Sequence, residues 1–273
     1  MDARPVILCC APNGARRGTS DHSAIPVTPE SMAETAKRCL DAGGSILHCH
    51  ARDADGRHSL DPELNRLYLD TVRRAVGEEL IVQLTTEAAG IYARDAQAAL
   101  VRALQPESFS IAMRELCPDE AAEEEYAALL ADAQAAGGRV QHIVYGAEEL
   151  QRFIGLQAKG VIPDQQPFML FVLGRYSGTQ AGAGDVLPFL QTLGGRDWPW
   201  MVCAFGIEES ACALTAAALG GHARVGFENN LQAPDGCVYA DNAESVSSVR
   251  KLIETLGGNI ADANTARRVL AMG

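Results

Sequence analysis

Ser45-Ile46-Leu47-His48-Cys49-His50-Ala51-Arg52-Asp53 is an apolar run that ends in two histidines spaced i, i+2 and then enters a turn-forming Arg52-Asp53-Ala54-Asp55-Gly56 segment. On a β-strand the side chains alternate with period two, so His48 and His50 share one face and Cys49 points to the other. Two imidazoles at a strand end, with space for a carboxylate and water, suit a divalent transition metal, zinc first among them. The plainer alternative is a pair of polar residues at the rim of a sheet. The pattern on either side of this stretch decides between them.

Upstream, Val6 to Cys10 is a short run of β-branched and small apolar residues that breaks at Ala11-Pro12-Asn13-Gly14. Thr28-Pro29-Glu30-Ser31 then opens a helix to about Leu40, with a capping hydroxyl and a proline in its first turn, and Ala42-Gly43-Gly44 closes it. Downstream the same unit recurs. Helices are predicted at Pro62–Val76, Arg94–Leu104, Asp119–Ala136, Ala147–Ala158, Asp185–Leu193, Glu208–Leu219 and Ala243–Leu256. Strands are predicted at Leu80–Thr86, Ser108–Met113, Val140–Tyr145, Phe168–Leu173, Trp200–Phe205 and Ala223–Phe227. With the first strand and the histidine strand this makes eight strands alternating with eight helices, the pattern of a closed (β/α)8 TIM barrel occupying residues 1–273 as a single domain. An open doubly wound sheet is the alternative.

Composition narrows the partners. The 273 residues carry a formal charge of -12, which argues against duplex nucleic acid, whose phosphates need a concentrated basic surface. The eight cysteines form no Cys-x-x-Cys pair and lie largely in apolar segments, so they read as reduced core thiols of a cytoplasmic protein. No apolar segment approaches the length that spans a bilayer, and the N-terminus shows no leader-like run.

In a barrel of this kind chemistry gathers where the strands run out into the βα loops. Those ends carry Pro12-Asn13-Gly14-Ala15-Arg16-Arg17, His48 and His50, Thr85-Thr86-Glu87, Arg114-Glu115, Gln141 with His142 and Tyr145, Gly174-Arg175-Tyr176, and Arg224-Val225-Gly226-Phe227-Glu228-Asn229-Asn230. Strands 2 and 8 both flank strand 1, so Glu228 is the natural third ligand beside His48 and His50. Such a trio leaves coordination positions open, as catalytic zinc requires. Strand alternation also places Arg224 on the face of Glu228, deeper in the barrel, where it needs an anionic partner. A solvated Glu228 with Arg224 as its counter-ion is the bland reading of the same pair. His222 reads as structural, His22 and His58 as surface loop residues, His142 as a satisfied core histidine, and Glu120 to Glu125 as a solvated helix face. The loop from Gly174 to Gly184 lacks the Gly-Lys-Ser/Thr of a phosphate-binding loop.

Taken in order, Pro26-Val27-Thr28-Pro29-Glu30, His48 to Asp53, Thr85-Thr86 and Gly220 to Asn230 resemble the β-keto acid cleavage enzymes, the 3-keto-5-aminohexanoate cleavage family, over nearly the whole chain. The resemblance implies a zinc-dependent barrel, commonly a homotetramer, that converts a β-keto acid and acetyl-CoA into acetoacetate and a new acyl-CoA. It puts the metal on His48, His50 and Glu228. It puts the catalytic groups on Arg224, Thr85 or Thr86, and Asn229, and makes Asn13, Gly14 and Arg16 candidates for substrate binding. Two positions depart from the family pattern. Members often carry Glu-Asp-Asn where this chain has Glu228-Asn229-Asn230, so an acid–base role of that aspartate does not pass to the amide. Some members have an acidic residue after the first Gly-Ala, and here Arg16 stands there. An arginine in that place disfavours a cationic substrate tail and favours an anionic or neutral one. The proton acceptor stays open between the substrate itself, a metal-bound water and a loop carboxylate. The rival readings are a zinc-dependent aldolase or hydrolase acting without CoA, and a non-catalytic metal-binding barrel.

Overall fold

The computed structural model describes residues 5–176 and 178–272; the first four residues, Ser177 of the glycine-rich loop and Gly273 lie outside the described residues. Eight parallel strands run β1 (Leu8–Cys10), β2 (Ile46–Cys49), β3 (Ile81–Thr85), β4 (Ser108–Ala112), β5 (Arg139–Val144), β6 (Phe168–Leu173), β7 (Trp200–Ala204) and β8 (His222–Val225). They pair in chain order, and β1 also pairs with β8, with Cys9 opposite Arg224, so the sheet closes and the open-sheet alternative falls away. Register places His48 opposite Gln83 on β3.

Each connection returns through a helix whose start is written in the local sequence. In α1 (Pro29–Asp41), the Thr28 side chain accepts the Ser31 N–H and the Ser31 side chain reaches back to the cap, with Pro29 in the first turn. Asp61 caps α2 (Pro62–Val76) in the same manner by accepting the Leu64 N–H. The remaining helices among the described residues are α3 (Arg94–Leu104), α4 (Met113–Leu116), α5 (Glu123–Ala135), α6 (Ala147–Ala158), α7 (Leu187–Leu193), α8 (Glu209–Ala218), α9 (Asn242–Thr255) and α10 (Ala263–Val269). Their apolar faces and the outward side chains of the strands form one continuous core, with Leu47, Tyr68, Phe109, Phe153 and Phe171 fully buried in it.

Several details differ from the sequence reading. The predicted helix at Asp119–Ala136 opens with a 3-10 turn, Glu120–Ala122, capped by Asp119, before α5 begins. The one-turn α4 follows β4 directly. Strand β8 ends at Val225 rather than Phe227. Gly226 takes a φ of 130°, and the N–H groups of Asn229 and Asn230 fold back to its carbonyl at 2.9 and 3.0 Å. A further difference is α10, a helix absent from the pattern expected of the sequence. Ala263, Ala266 and Leu270 pack on Ile7, Ile46, Ile81, Phe168 and Met201 and stop the interior of the barrel at its closed end. Arg267 ties this helix down through Glu107 at 2.6 Å and the Glu78 carbonyl at 2.8 Å.

No disulfide joins the eight cysteines; seven are buried and Cys237 is exposed. Among the described residues no helix is long and apolar enough to cross a membrane.

Candidate active site

At the open end of the barrel His48, His50 and Glu228 come together, all buried. His48 is the third residue of β2 and His50 follows its last, so the period-two geometry carries one residue past the strand. Glu228 arrives from the turn after β8 and is fixed by its own N–H on the Ala11 carbonyl at 3.0 Å. His48 Nε2 and His50 Nε2 are 3.0 Å apart, and Glu228 Oε2 lies 3.9 Å from the first and 3.6 Å from the second. Ligands about 2.0–2.1 Å from a tetrahedral zinc are separated by roughly 3.3–3.4 Å, and the three separations here lie on either side of that spacing, so small side-chain shifts bring the trio to such an ion.

Protonation favours the same conclusion. His48 Nδ1 lies 2.9 Å from Gln83 Oε1, an acceptor, so the imidazole holds its proton on Nδ1 and turns the Nε2 lone pair inward. Burial, then the Arg224 guanidinium, lower the His48 pKa well below its ordinary value and keep the ring neutral. Glu228 moves the other way. Burial works against its charge, but Arg224 and then His50 outweigh it and hold the carboxyl well below the usual range. Glu228 Oε2 is nevertheless buried with no hydrogen-bond partner. An ionised carboxylate oxygen in that state, facing two imidazole nitrogens, is a site that fits a cation.

Arg224 Nη2 donates to Glu228 Oε1 at 3.1 Å, while its Nε and Nη1 are buried and unpartnered. The pairing expected from strand alternation is present, but the turn at Gly226 rather than a longer strand brings it about. With His48, Glu228 and Thr85, Arg224 lines a cavity of about 330 Å³. Thr85 faces that cavity and its hydroxyl accepts the Glu87 N–H at 3.1 Å, whereas Thr86 donates to the Ser110 carbonyl at 2.8 Å. Of the two threonines, Thr85 is the one that lines the cavity. Asn229 is fully buried with both side-chain polar atoms unpartnered, yet it does not line the cavity.

The loop after β1 has two structural parts and one exposed one. Asn13 Nδ2 bridges the Pro26 and His50 carbonyls at 3.0 and 2.9 Å, fixing the loop to β2. Gly14 has φ +59, and a Cβ there would sit 2.5 Å from Glu228 Cγ, so the glycine makes room for the Glu228 side chain. Arg52 clamps the whole loop from below, donating to the carbonyls of Asn13, Gly14 and Arg17 and to that of Gly56. Arg16 stands exposed at the rim with its guanidinium 5.0 Å from the Tyr176 ring.

Other residues join the site that the sequence reading left without a role. Gln83 shares a face with Thr85 by period two, the only signal for it in the sequence. Glu87 Oε2 lies 3.8 Å from His50 Nδ1, and burial raises its pKa. Tyr176 donates to the Glu228 carbonyl at 3.0 Å. His58 corrects an expectation: it is buried, not a surface residue, because a β-bridge between Arg52 and His58 folds the loop back over β2. Its Nε2 meets the Glu87 carbonyl at 2.8 Å, and burial followed by His50 lowers its pKa to about 3. His22 is half-buried against the Phe227 ring, 4.6 Å between centroids. His142 is the expected core histidine, held by the Tyr126 hydroxyl at 3.2 Å, and His222 accepts the Ile7 N–H at the closed end.

Comparison with known proteins gives the chain its relatives. The chain is 27% identical over 275 residues to a 3-keto-5-aminohexanoate cleavage enzyme of Fusobacterium nucleatum subsp. nucleatum, covering 98% of each protein. It is 27% identical over 304 residues to a 3,5-dioxohexanoate:acetyl-CoA acetone transferase of Paraburkholderia graminis, covering 98% of this chain and 96% of that one. Among solved structures, the binary complex of ObcA with oxaloacetate shares the fold, with a TM-score of 0.73 at 16% identity over 92% of this chain and 68% of the other. The family model for beta-keto acid cleavage enzymes matches residues 5–272, and the chain belongs to that family.

Proposed function

We propose that this protein exchanges acyl groups between a β-keto acid and acetyl-CoA at the cavity above His48, His50 and Glu228, with zinc as the resident metal. The carbon between ketone and carboxylate loses a proton and bonds to the acetyl carbonyl carbon, and CoA leaves as its thiolate. The thiolate then adds to the original ketone carbon, the bond between that carbon and its neighbour breaks, the proton removed in the first step returns to the carbanion so released, and acetoacetate departs from the new acyl-CoA. All atoms of the two substrates are accounted for in the two products. The observation that carries this reading is a buried, cation-shaped trio of ligands beside an arginine with two unpaired N–H groups.

His48, His50 and Glu228 would hold the metal, which when bound supplies Lewis-acid charge for the keto acid's oxygens. Arg224 offers Nε and Nη1 to the charge that develops on the substrate, in a site where burial strengthens such contacts. Thr85, its acceptor side already used by the Glu87 N–H, has a hydroxyl proton free to donate into the cavity. Asn229 is a neutral amide and acts as a hydrogen-bonding group rather than as a proton acceptor. Arg16 is the part of the first loop that meets substrate, with Asn13 and Gly14 shaping the loop behind it. We further expect a cytoplasmic homotetramer, which light scattering would show as four times the chain mass of 29.0 kDa.

Carbon-13 in the acetyl group of acetyl-CoA is expected in acetoacetate, and turnover is expected to cease without the thioester. Label recovered only as acetate, or cleavage undiminished without CoA, would replace exchange with hydrolysis or an aldol cleavage. The purified protein is expected to bind one divalent metal per chain, and His48→Ala with His50→Ala to abolish that stoichiometry while the fold persists.

A further inference from the structure

The cavity above the ligand trio has four guanidinium groups in its lining, Arg16, Arg114, Arg175 and Arg224. Two are neutralised. Arg224 pairs with Glu228, and Arg114 Nε donates to Glu149 at 2.7 Å. Arg175, on the loop after β6, is held otherwise: it donates to the carbonyls of Gly174 and Tyr145, each at 2.6 Å, and its Cζ lies 5.0 Å from the Tyr145 ring. Carbonyl oxygens and a ring fix a guanidinium in place without cancelling its charge. Among the described residues neither Arg175 nor Arg16 forms an ion pair.

The carboxylates of the same cavity are already engaged. Glu87 faces His50 Nδ1, and Glu115 accepts the Ala88 N–H at 3.0 Å and Gln97 Nε2 at 2.7 Å. Arg175 and Arg16 are thus the two guanidinium groups at the mouth with no carboxylate in an ion pair with them, in a chain whose net charge is -12. Guanidinium groups without a carboxylate partner are where an anionic ligand can pair on an acidic protein, because the remaining surface repels it. Between this rim and the ligand trio the cavity lining includes Ile143, Val172 and Phe205, an apolar wall suited to methylene groups.

We propose that Arg175, with Arg16, forms a carboxylate subsite, and that the natural substrate is a β-keto acid with a terminal carboxylate, a 3-oxo dicarboxylate. The inference rests on the function proposed above, since it takes the keto-acid end to lie at His48, His50 and Glu228. Tyr145 is a positioning residue here: its carbonyl and ring hold the Arg175 fork, leaving Arg175 Nε to meet the tail.

The test uses the metal-loaded enzyme and three six-carbon acids that differ only in tail: 3-oxohexanedioate, 3-oxohexanoate and 5-amino-3-oxohexanoate. The wild type is expected to prefer the dicarboxylate in kcat/KM. Arg175→Met should lower the ratio of dicarboxylate to uncharged acid by roughly 10- to 100-fold, the worth of a hydrogen bond to a charged group, mainly through KM. Arg175→Lys should recover part of it, and Arg175→Glu should turn the preference toward the amino acid. An unchanged ratio, an equal loss on all three acids, a wild type that prefers an uncharged or cationic tail, or a rise confined to the KM of acetyl-CoA each overturns the subsite; the last assigns Arg175 to the CoA phosphates. A wild type that exchanges none of the acids defeats the proposed function instead. Calorimetric binding of pentanedioate against butanoate then decides the subsite separately: it stands if Arg175→Met weakens only the dicarboxylate, and falls if both change alike.

Discussion

Gln83→Leu isolates the part of the proposed metal site that would touch no metal. Gln83 Oε1 accepts the Nδ1 proton of His48 at 2.9 Å, and Gln83 Nε2 reaches Ser108 Oγ at 3.3 Å. Leucine keeps the volume and removes the acceptor. In the metal-free variant His48 escapes the loss by moving its proton to Nε2, where His50 Nε2 lies 3.0 Å away. A bound metal needs that lone pair, which returns the proton to Nδ1 and leaves a buried donor unpaired. The cost falls on the loaded state alone, and a buried unsatisfied donor costs about 1–3 kcal/mol, or roughly 5- to 150-fold in affinity. Loss of an outer partner of a metal-bound histidine typically costs about 10- to 100-fold, the same range. Competition against a chromophoric chelator measures it directly at fixed pH. Gln83→Glu should reverse the sign by making His48 a stronger donor. Equal metal affinity in Gln83→Leu and wild type would refute the tautomer argument and remove His48 Nε2 as a ligand atom.

Two further outcomes follow from groups around the site. Burial raises the Glu209 pKa from 4.5 to about 8 while its Oε1 accepts the Gly226 N–H at 3.1 Å. The folded state thus holds this proton more tightly than the unfolded chain, and stability declines as pH rises from the unfolded value through the folded one, by up to ~1.4 kcal/mol per pH unit. Denaturant unfolding of Glu209→Gln between those limits should lack that share of the slope, and parallel curves for variant and wild type would exclude it. Thr85→Val should lower kcat, because it removes a hydroxyl that lines the cavity, whereas Thr86→Val should cost about 1–3 kcal/mol in unfolding free energy by orphaning the Ser110 carbonyl. The reverse pattern in paired kinetics and melts would exchange the two roles.

The barrel is legible because its signals are local. Each strand is a short apolar run, and Thr28, Asp61 and Asp241 sit where a helix start needs a side-chain acceptor. Helix α10 is not legible for the same reason reversed: Ala263–Val269 is short and rich in polar residues, and it buries little more than two alanines, so no amphipathic stripe marks it. Its partners are inward residues of five distant strands. His58 illustrates a second limit. Nothing in Gly56-Arg57-His58 tells a surface turn from one folded back over β2, because the bridge from His58 to Arg52 depends on a cavity already built by the barrel. Gln83 is half legible. Period two puts it on the face of Thr85, but its place opposite His48 is a matter of strand register, which tertiary packing sets.

Glu228 is reached by an inference whose premise the structure corrects. If β8 ran to Phe227, alternation would put Glu228 on the inner face at the strand's regular rise. Instead the backbone leaves the sheet at Gly226, whose missing side chain matters because a Cβ there would stand 2.6 Å from the Ala11 carbonyl. Asn242 Oδ1 then accepts the Phe227 N–H at 2.9 Å, and Glu209 holds the Gly226 N–H. The carboxylate is set by three fixed points outside the strand, which strand geometry alone does not supply. Gly14 and Tyr176 close around it from the first and sixth loops, the former by having no side chain and the latter by donating to its carbonyl. A carboxylate held this way has little freedom to swing toward Arg224 and away from the histidines. That restraint is why Glu228 Oε1 can satisfy Arg224 while Oε2 stays unpaired and directed at the two imidazoles, the division of labour that a metal ligand with a neighbouring cation requires.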